Sequence, residues 1–446
     1  MTPEIIIIGG GVAGLSAAVD LCSMGRKILL LEQKPHLGGR TYSFVDKTTG
    51  EPVDNGQHLL MGCYKETRRY LDIIGSSHLA RLQRNLRIDF LHPRNGFAAL
   101  QCPPLPAPFN VLVGLMRLST LPVLHRLRLL RMGIELISSS IQKERELAGL
   151  TVDEWLSKAG QTAENRKYLW DIIAVGTLND DPKTVSALLF YRVLKAAFLG
   201  SRTNSSMLVP RVGLSELLVD PARRYVEDHG GEIRIGYGVD RLEIGGNEVH
   251  TVIAQGKKIP ASIVISSVPY HALPPLFPGR PDKDSFLSTL SEFDSSPIIT
   301  LHLWLDRKLI DQEFVALLDC RIQWIFNKTR ILRGENDTKR QYLSLVISGA
   351  GELVEWSKER LLDLAMKELR ETIPAARGAK IVHSLVIKEK RATFSPRPHV
   401  ERLRPGARTP LRNFFLAGDW TDTGYPATIE GAILSGRRAA EEADKA

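Results

Sequence analysis

Four consecutive isoleucines, Ile5 to Ile8, run straight into Gly9-Gly10-Gly11-Val12-Ala13-Gly14, and this junction restricts what the 446-residue chain can fold into. An apolar run that breaks into glycines and resumes as a small-residue apolar stretch reads as strand, tight turn and helix. The spacing predicts a strand over residues 4–8, a helix to about residue 25, and a second strand over residues 27–32. Each glycine has its own task. Gly9 permits the tight turn, Gly11 lets backbone approach a pyrophosphate, and Gly14 allows the helix to pack closely on the strand. The helix N-terminus adds amide donors and a favourable dipole. Glu32 ends the second strand, where an acid accepts hydrogen bonds from an adenosine ribose. The unit predicts dinucleotide binding.

A nicotinamide-binding domain would continue with further strand–helix units, but this chain continues with Leu37-Gly38-Gly39-Arg40-Thr41-Tyr42-Ser43. A second glycine turn beside an arginine offers more phosphate contacts. Near the other terminus, residues 413–416 read as a buried strand. They lead into Ala417-Gly418-Asp419 and, past Gly424, a small-residue helix over residues 428–440.

Composition places limits around these motifs. Lys and Arg number 59 against 50 Asp and Glu, for a net charge of +9, with 43% hydrophobic and 24% charged residues. That is a globular chain of two or three domains; disorder, collagen and coiled coil are excluded. The excess charge is local: residues 81–131 hold eight Lys or Arg against one acid, and residues 388–412 hold eight against two. Cys22, Cys63, Cys102 and Cys320 form no C-x-x-C pair, which fits a reduced compartment and argues against zinc ribbons and disulfide scaffolds. No metal site is expected, and a cytoplasmic location is. The start of the chain lacks a signal peptide's basic region. The uncharged stretch over residues 95–116 contains Pro103, Pro104, Pro106 and Pro108, which forbid a continuous spanning helix.

Together, Gly9 to Gly14, Glu32, Gly38-Gly39-Arg40 and Gly418-Asp419 resemble the flavoprotein superfamily of amine oxidases, protoporphyrinogen oxidases and phytoene desaturases. The resemblance implies FAD held by N-terminal, middle and C-terminal segments. Gly38, Gly39 and Arg40 would touch it, and Asp419 would lie near ribityl or pyrophosphate oxygens. The middle segment is Val209-Pro210-Arg211-Val212-Gly213-Leu214 with Gly238-Val239-Asp240-Arg241-Leu242, where Val239 backbone would meet the adenine. The implied fold is α/β and amine oxidase-like: a discontinuous Rossmann-like FAD-binding domain over residues 1–70, 205–280 and 395–446, interleaved with a mixed α+β substrate domain over residues 71–204 and 281–394. The first insertion reads as helical from the spacing of Leu112, Leu115, Met116, Leu127, Leu130 and Ile134. The second alternates strands over residues 297–305, 322–327 and 342–348 with a helix over residues 352–372.

The segment Asp54-Asn55-Gly56-Gln57-His58, continuing to Gly62 and Tyr64, falls where that superfamily passes the flavin ring. Its form closely resembles the squalene-associated flavoproteins, the hydroxysqualene dehydroxylases. Gly176 to Pro182, Ser186-Ala187 and the tail Gly424 to Ala432 match that family too. The resemblance implies replacement of the hydroxyl of hydroxysqualene by hydrogen, with hydride from reduced FAD and electrons from an external reductant. Gly56 would let backbone approach the ring, and Gln57 would add a polar group there. Asp54 and His58 are the candidates for general acid or proton relay, with Tyr64 as a third donor. Trp420 and Tyr425 read either as core packing, the default for such aromatics, or as walls of the reacting centre. Thr428 and Ile429 would open a helix whose amides face the flavin's pyrimidine edge, with Glu430 capping that helix or facing away.

Two other readings share the motifs: a carotenoid-type desaturase or amine oxidase working with oxidised FAD, and a non-catalytic prenyl-binding protein on the same fold. The basic, leucine-rich stretch over residues 109–137, with Arg117, Arg126, Arg128 and Arg131, reads either as a core helix with a solvated basic face or as an element lying on anionic lipid. The water-insoluble substrate implied above favours the second, with peripheral association at the inner face of the cell membrane. No recognition helix, zinc module or aromatic platform accompanies the charge, so nucleic acid is not an expected partner.

Overall fold

The structure, a computed structural model, describes residues 4–93, 96–138, 140–278, 286–334 and 340–446. The Ile5–Ile8 strand has no polar residue to offer water and lies at the centre of a five-stranded sheet. The order is Glu232–Ile235, Ile28–Glu32, Ile5–Ile8, Ile263–Ser266, Phe414–Leu416, and every pairing is parallel. Three remote stretches of chain thus build one sheet. The Val12–Ser23 helix follows the glycine turn and packs against the final helix, Ile429–Asp444. Their approach is close: Ser16 Oγ donates to the Ile433 carbonyl at 2.9 Å, and a methyl group on Gly436 would collide with the carbonyl oxygen of Ala13. Gly14 is bound in the same way, since a methyl there would collide with the Gly9 carbonyl.

A second sheet of seven strands stands beside the first, in the order Ile381–Phe394, Ser295–Leu305, Gln341–Ser348, Trp324–Asn327, Phe314–Leu317, Arg87–His92, Gly96–Gln101. Its pairings are antiparallel except between Phe314–Leu317 and Arg87–His92. Alternation along Ser295–Leu305 divides the two faces. Ile299, Leu301 and Leu303 join Leu361, Ala365 and Leu369 of the Lys358–Thr372 helix in one core. Ile298 and Thr300 face the other way, toward the cavity described below.

Several sequence expectations change. The first insertion is not helical throughout: Arg87–His92 and Gly96–Gln101 form a hairpin that completes the sheet of the second insertion, as the alternation Ile88, Phe90 against Arg87, Asp89 required. The helix expected over residues 352–372 breaks in two. A 3₁₀ turn, Gly351–Glu355, ends before Ser357, whose side chain accepts from Arg360 N and starts the Lys358–Thr372 helix afresh. The basic stretch forms two helices, Phe109–Met116 and Val123–Ile137. Arg126, read as facing lipid, instead donates Nε to the Leu121 carbonyl at 2.6 Å and Nη1 to the Met116 carbonyl at 3.1 Å, closing the turn between them. The domain boundary expected between residues 280 and 281 lies outside the described residues, as does residue 95.

Because the two helices touch through glycine, Gly436→Ala should lower stability by about 1–3 kcal/mol, the usual cost of overpacking. Urea unfolding of the purified protein measures it.

Candidate active site

The glycine turn opens onto a cavity of about 640 Å³ that also runs along the second sheet. Gly9, Gly11, Glu32, Gly39, Arg40, Val239, Gly418, Asp419, Thr428 and Ile429 line it, together with Gly56, Gln57 and His58. Thirteen residues singled out from sequence therefore converge on one space, joined there by Gly38, Tyr64 and Trp420. Gly14 and Asp54 do not line it.

The nucleotide end is built from backbone. The Val12–Ser23 helix begins at Gly11 with no side-chain cap and no acid in its first turn, and Gly11, Val12 and Ala13 at that end line the cavity. A methyl on Gly11 would meet no atom within 4 Å, which leaves an open cradle over that helix end. Glu32 is buried, with one carboxylate oxygen accepting from Gly10 N at 2.6 Å and the other from Lys34 N at 2.8 Å. These bonds hold the acid at the mouth of the cradle, and each oxygen retains a lone pair for a ribose hydroxyl. Arg40 and Asp419 are first of all partners of each other, at 2.6 Å, and Arg40 also donates to the Ala392 carbonyl at 2.7 Å. That pair ties the second glycine turn to the last segment while leaving Arg40 on the cavity lining.

The opposite end is apolar. Leu59, Met61, Leu86, Ile88, Phe90, Leu100, Ile172, Trp324, Phe326 and Val346 form its walls. His58 and Tyr64 face the space between the two ends. Burial, reinforced by the nearby Arg40 charge against the opposing pull of Asp54, brings His58 down to about 4. Its imidazole is therefore neutral at pH 7. Burial raises the Tyr64 hydroxyl, which keeps its proton.

Asp54 is corrected. Its carboxylate is 2% exposed and turned away from the cavity into a closed set of partners: Lys328 Nζ at 2.8 Å, Leu214 N at 2.9 Å and Ser43 Oγ at 2.7 Å. Burial alone would raise it, but the Lys328 ammonium and these hydrogen bonds outweigh burial and hold it below the usual carboxylate value. An ionised acid in that setting has no proton to give. Of the two aromatics, Tyr425 does not line the cavity and Trp420 does, with its indole N–H on the Val268 carbonyl at 3.0 Å. Glu430 faces away as expected, accepting from Glu66 N and Thr67 N at 3.0 and 2.8 Å and so capping the Lys65–Ile73 helix. Thr428 caps its own helix through Gly431 N.

Two residues that sequence reasoning passed over matter here. Lys328 is 1% exposed and holds both Asp54 and Gln57 Oε1, the latter at 2.9 Å. A lysine at the end of the apolar run Trp324-Ile325-Phe326-Asn327 was the available signal. Thr300, also 1% exposed, lines the cavity in mid-strand, where nothing in sequence marks it. Among the described residues no group of three or more His, Cys, Asp or Glu is placed to hold a metal.

A glycine-opened helix end on a parallel sheet shares one cavity with an apolar antiparallel sheet, an arrangement suited to holding a cofactor against an apolar substrate. The chain belongs to the flavin containing amine oxidoreductase family, which it matches over residues 12–443. It is 29% identical to hydroxysqualene dehydroxylase of Sinorhizobium fredii, covering 99% of this chain and 98% of that protein. It is 27% identical to the chloroplastic/chromoplastic 15-cis-phytoene desaturase of Narcissus pseudonarcissus, covering 98% of this chain and 79% of the relative. An oxidoreductase from Methanosarcina mazei shares the fold with a TM-score of 0.77 at 18% identity, covering 98% of this chain and all of that one. Cyclohexylamine oxidase from Brevibacterium oxydans does so with a TM-score of 0.73 at 16% identity, covering 100% of this chain and 99% of that one. The open cradle over Gly11 and the buried Oδ1 of Asn55, which has no partner among the described residues, suit the flavin cofactor of the family.

Two outcomes follow from the buried charges. Lys328→Met strands the Asp54 carboxylate, and the variant should lose about 3–5 kcal/mol in chemical denaturation. His58 and His302 both sit at about 4, His302 through burial and the Lys328 charge. An unfolded histidine takes its proton near 6.5, so acid favours the unfolded chain. Stability is full above pH 6.5 and is lost as pH falls toward 4. Melting temperatures should drop over that window, and His58→Asn should remove part of the drop.

Proposed function

We propose that the protein is an FAD-dependent enzyme that reductively dehydroxylates hydroxysqualene to squalene. The observation that carries this reading is end-to-end similarity: the hydroxysqualene dehydroxylases of Sinorhizobium fredii and Rhodopseudomonas palustris are each covered over 98% of their length, at 29% and 28% identity. The cavity supports it. Its walls along the second sheet are mainly apolar, suited to a long hydrocarbon, with a few polar groups and the Glu389 carboxylate, opposite Ile298, among the lining side chains.

Gly9, Gly11 and the first amides of Val12–Ser23 would hold the FAD pyrophosphate, Glu32 the adenosine ribose, and Val239 the adenine. When bound, FAD supplies the hydride chemistry. The chain's own residues do the rest. The apolar walls exclude water and align the hydrocarbon. Thr428, capping its own helix, leaves the dipole of Ile429–Asp444 directed at the cavity, and Glu430 is removed from opposing it. Tyr64 and the neutral His58 offer O–H and N–H donors to a departing oxygen. An external reductant of the cofactor completes the cycle.

The comparable similarity to phytoene desaturases favours a second reading, oxidative desaturation. Anaerobic incubation of the photoreduced protein with hydroxysqualene should give squalene and restore the oxidised flavin spectrum. Desaturation of phytoene with no squalene formed overturns the dehydroxylase reading.

The partner surface proposed with this function is an anionic bilayer. Leu124, Leu127, Ile134 and Ile137 project from Val123–Ile137 at 51–74% exposure, beside Phe109 and Ile141, with exposed Arg117, Arg128 and Arg131 among them. Among the described residues no helix is long and apolar enough to cross a membrane. The patch lies one layer outside the cavity: Asn110 Nδ2 reaches Ser205 Oγ at 3.3 Å, and Gly114 packs on Leu100 and Cys102. Ser205 and Leu100 line the cavity. Vesicles containing phosphatidylglycerol should sediment the protein, less so at high salt, and Arg128→Glu with Leu124→Ser and Ile134→Ser should release it. Undiminished sedimentation of that variant excludes this surface.

A further inference from the structure

Most polar side chains in the apolar part of the cavity are already committed. Thr177 Oγ1 donates back to the Ile173 carbonyl at 2.7 Å, Ser205 Oγ to the Arg202 carbonyl at 3.0 Å, and Ser348 Oγ to Asn179 Oδ1 at 3.2 Å. His58 and Thr300 are different. Neither the imidazole nitrogens of His58 nor Oγ1 of Thr300 has a hydrogen-bond partner among the described residues.

The two groups flank a single spot. A methyl group built on Gly56 would lie 3.8 Å from His58 Nε2 and 3.9 Å from Thr300 Oγ1. These are ordinary van der Waals separations, so His58 Nε2 and Thr300 Oγ1 both border the bare face of Gly56, and a ligand oxygen resting against that face would have both as neighbours. Thr300 cannot turn elsewhere. Its strand, Ser295–Leu305, is paired on both sides, with Thr300 opposite Val346 and Ile387. Its neighbour on the cavity face is Ile298.

A neutral imidazole and a hydroxyl each offer one donor and at least one acceptor. An alcohol donates one hydrogen bond and accepts others, which matches them. The nearby Lys328 and Asp54 neutralise each other, so neither presents a free charge at this spot. We propose that Gly56, His58 and Thr300 form the notch that receives the substrate's hydroxyl, and that Thr300 sets the preference for an alcohol over the corresponding hydrocarbon. The proposal rests on the dehydroxylase reading and adds the residue by which substrate is told from product.

The test uses oxidised holoenzyme, in which the alcohol binds without turnover. Hydroxysqualene and squalene are titrated separately, with flavin absorbance as the signal. The unmodified protein should bind the alcohol about tenfold more tightly than the hydrocarbon, the effect of roughly one well-placed hydrogen bond. Thr300→Val, which keeps the shape and removes the hydroxyl, should bring the ratio close to one with squalene affinity unchanged, and Thr300→Ser should restore it. Should Thr300→Val lose flavin or melt early, His58→Phe reads the same ratio. A Thr300→Val protein that retains flavin, melting temperature and the original ratio overturns the notch alone. Photoreduced unmodified protein that hydroxysqualene fails to reoxidise overturns the dehydroxylase reading, and the notch with it.

Discussion

The ion pair between Asp54 and Lys328 joins the parts of the molecule. Asp54 ends a short strand, Pro52–Asp54, on the cofactor side; Lys328 follows the Trp324–Asn327 strand of the seven-stranded sheet. The carboxylate also receives Leu214 N, at the start of the middle helical segment, and Ser43 Oγ. Both side chains are 2% exposed. Stranding either charge in that setting is far more costly than a surface pair would be, so three segments remote in sequence are held in one register. Gln57, the third partner of Lys328, is fixed with them. The strap that carries Gly56 and His58 past the cavity is thereby positioned from behind, by residues that never face the cavity.

The helix ends show a complementary economy. The Lys65–Ile73 helix takes its cap from Glu430, an acid on a different helix. That arrangement removes a negative charge from the cavity and satisfies two amides at once. The Val12–Ser23 helix has no side-chain cap at all. Bare amides at a cavity wall are a liability in an empty protein and an asset for an anion, and the glycines around them keep the approach clear.

The apolar end of the cavity and the exposed apolar face of Val123–Ile137 belong to the same side of the molecule. Phe109–Met116 lies between them, its buried Asn110 bonded to Ser205 of the cavity lining and its Phe109 in solvent. Arg126, which closes the turn from one helix to the next, leaves Arg117, Arg128 and Arg131 as the exposed charges there.

The sequence by itself determined the glycine-lined cradle, because each of its steps is local: isoleucines that must be buried, glycines that alone fit a close approach, an acid at a strand end. Gly9, Gly11 and Glu32 stand where their spacing placed them, at the cavity, and Gly418 and Thr428 join them through the parallel pairing of Phe414–Leu416. The roles of Asp54, Lys328 and Thr300 were not legible, because they depend on neighbours far along the chain. Asp54 looks like an acid beside a ring until a lysine 274 residues away neutralises it. Thr300 looks like any strand residue until sheet register turns its hydroxyl toward Gly56. Only the tertiary structure decided these, since charge compensation and the choice of sheet face are set by whichever residues packing brings opposite, and no spacing within a segment encodes that.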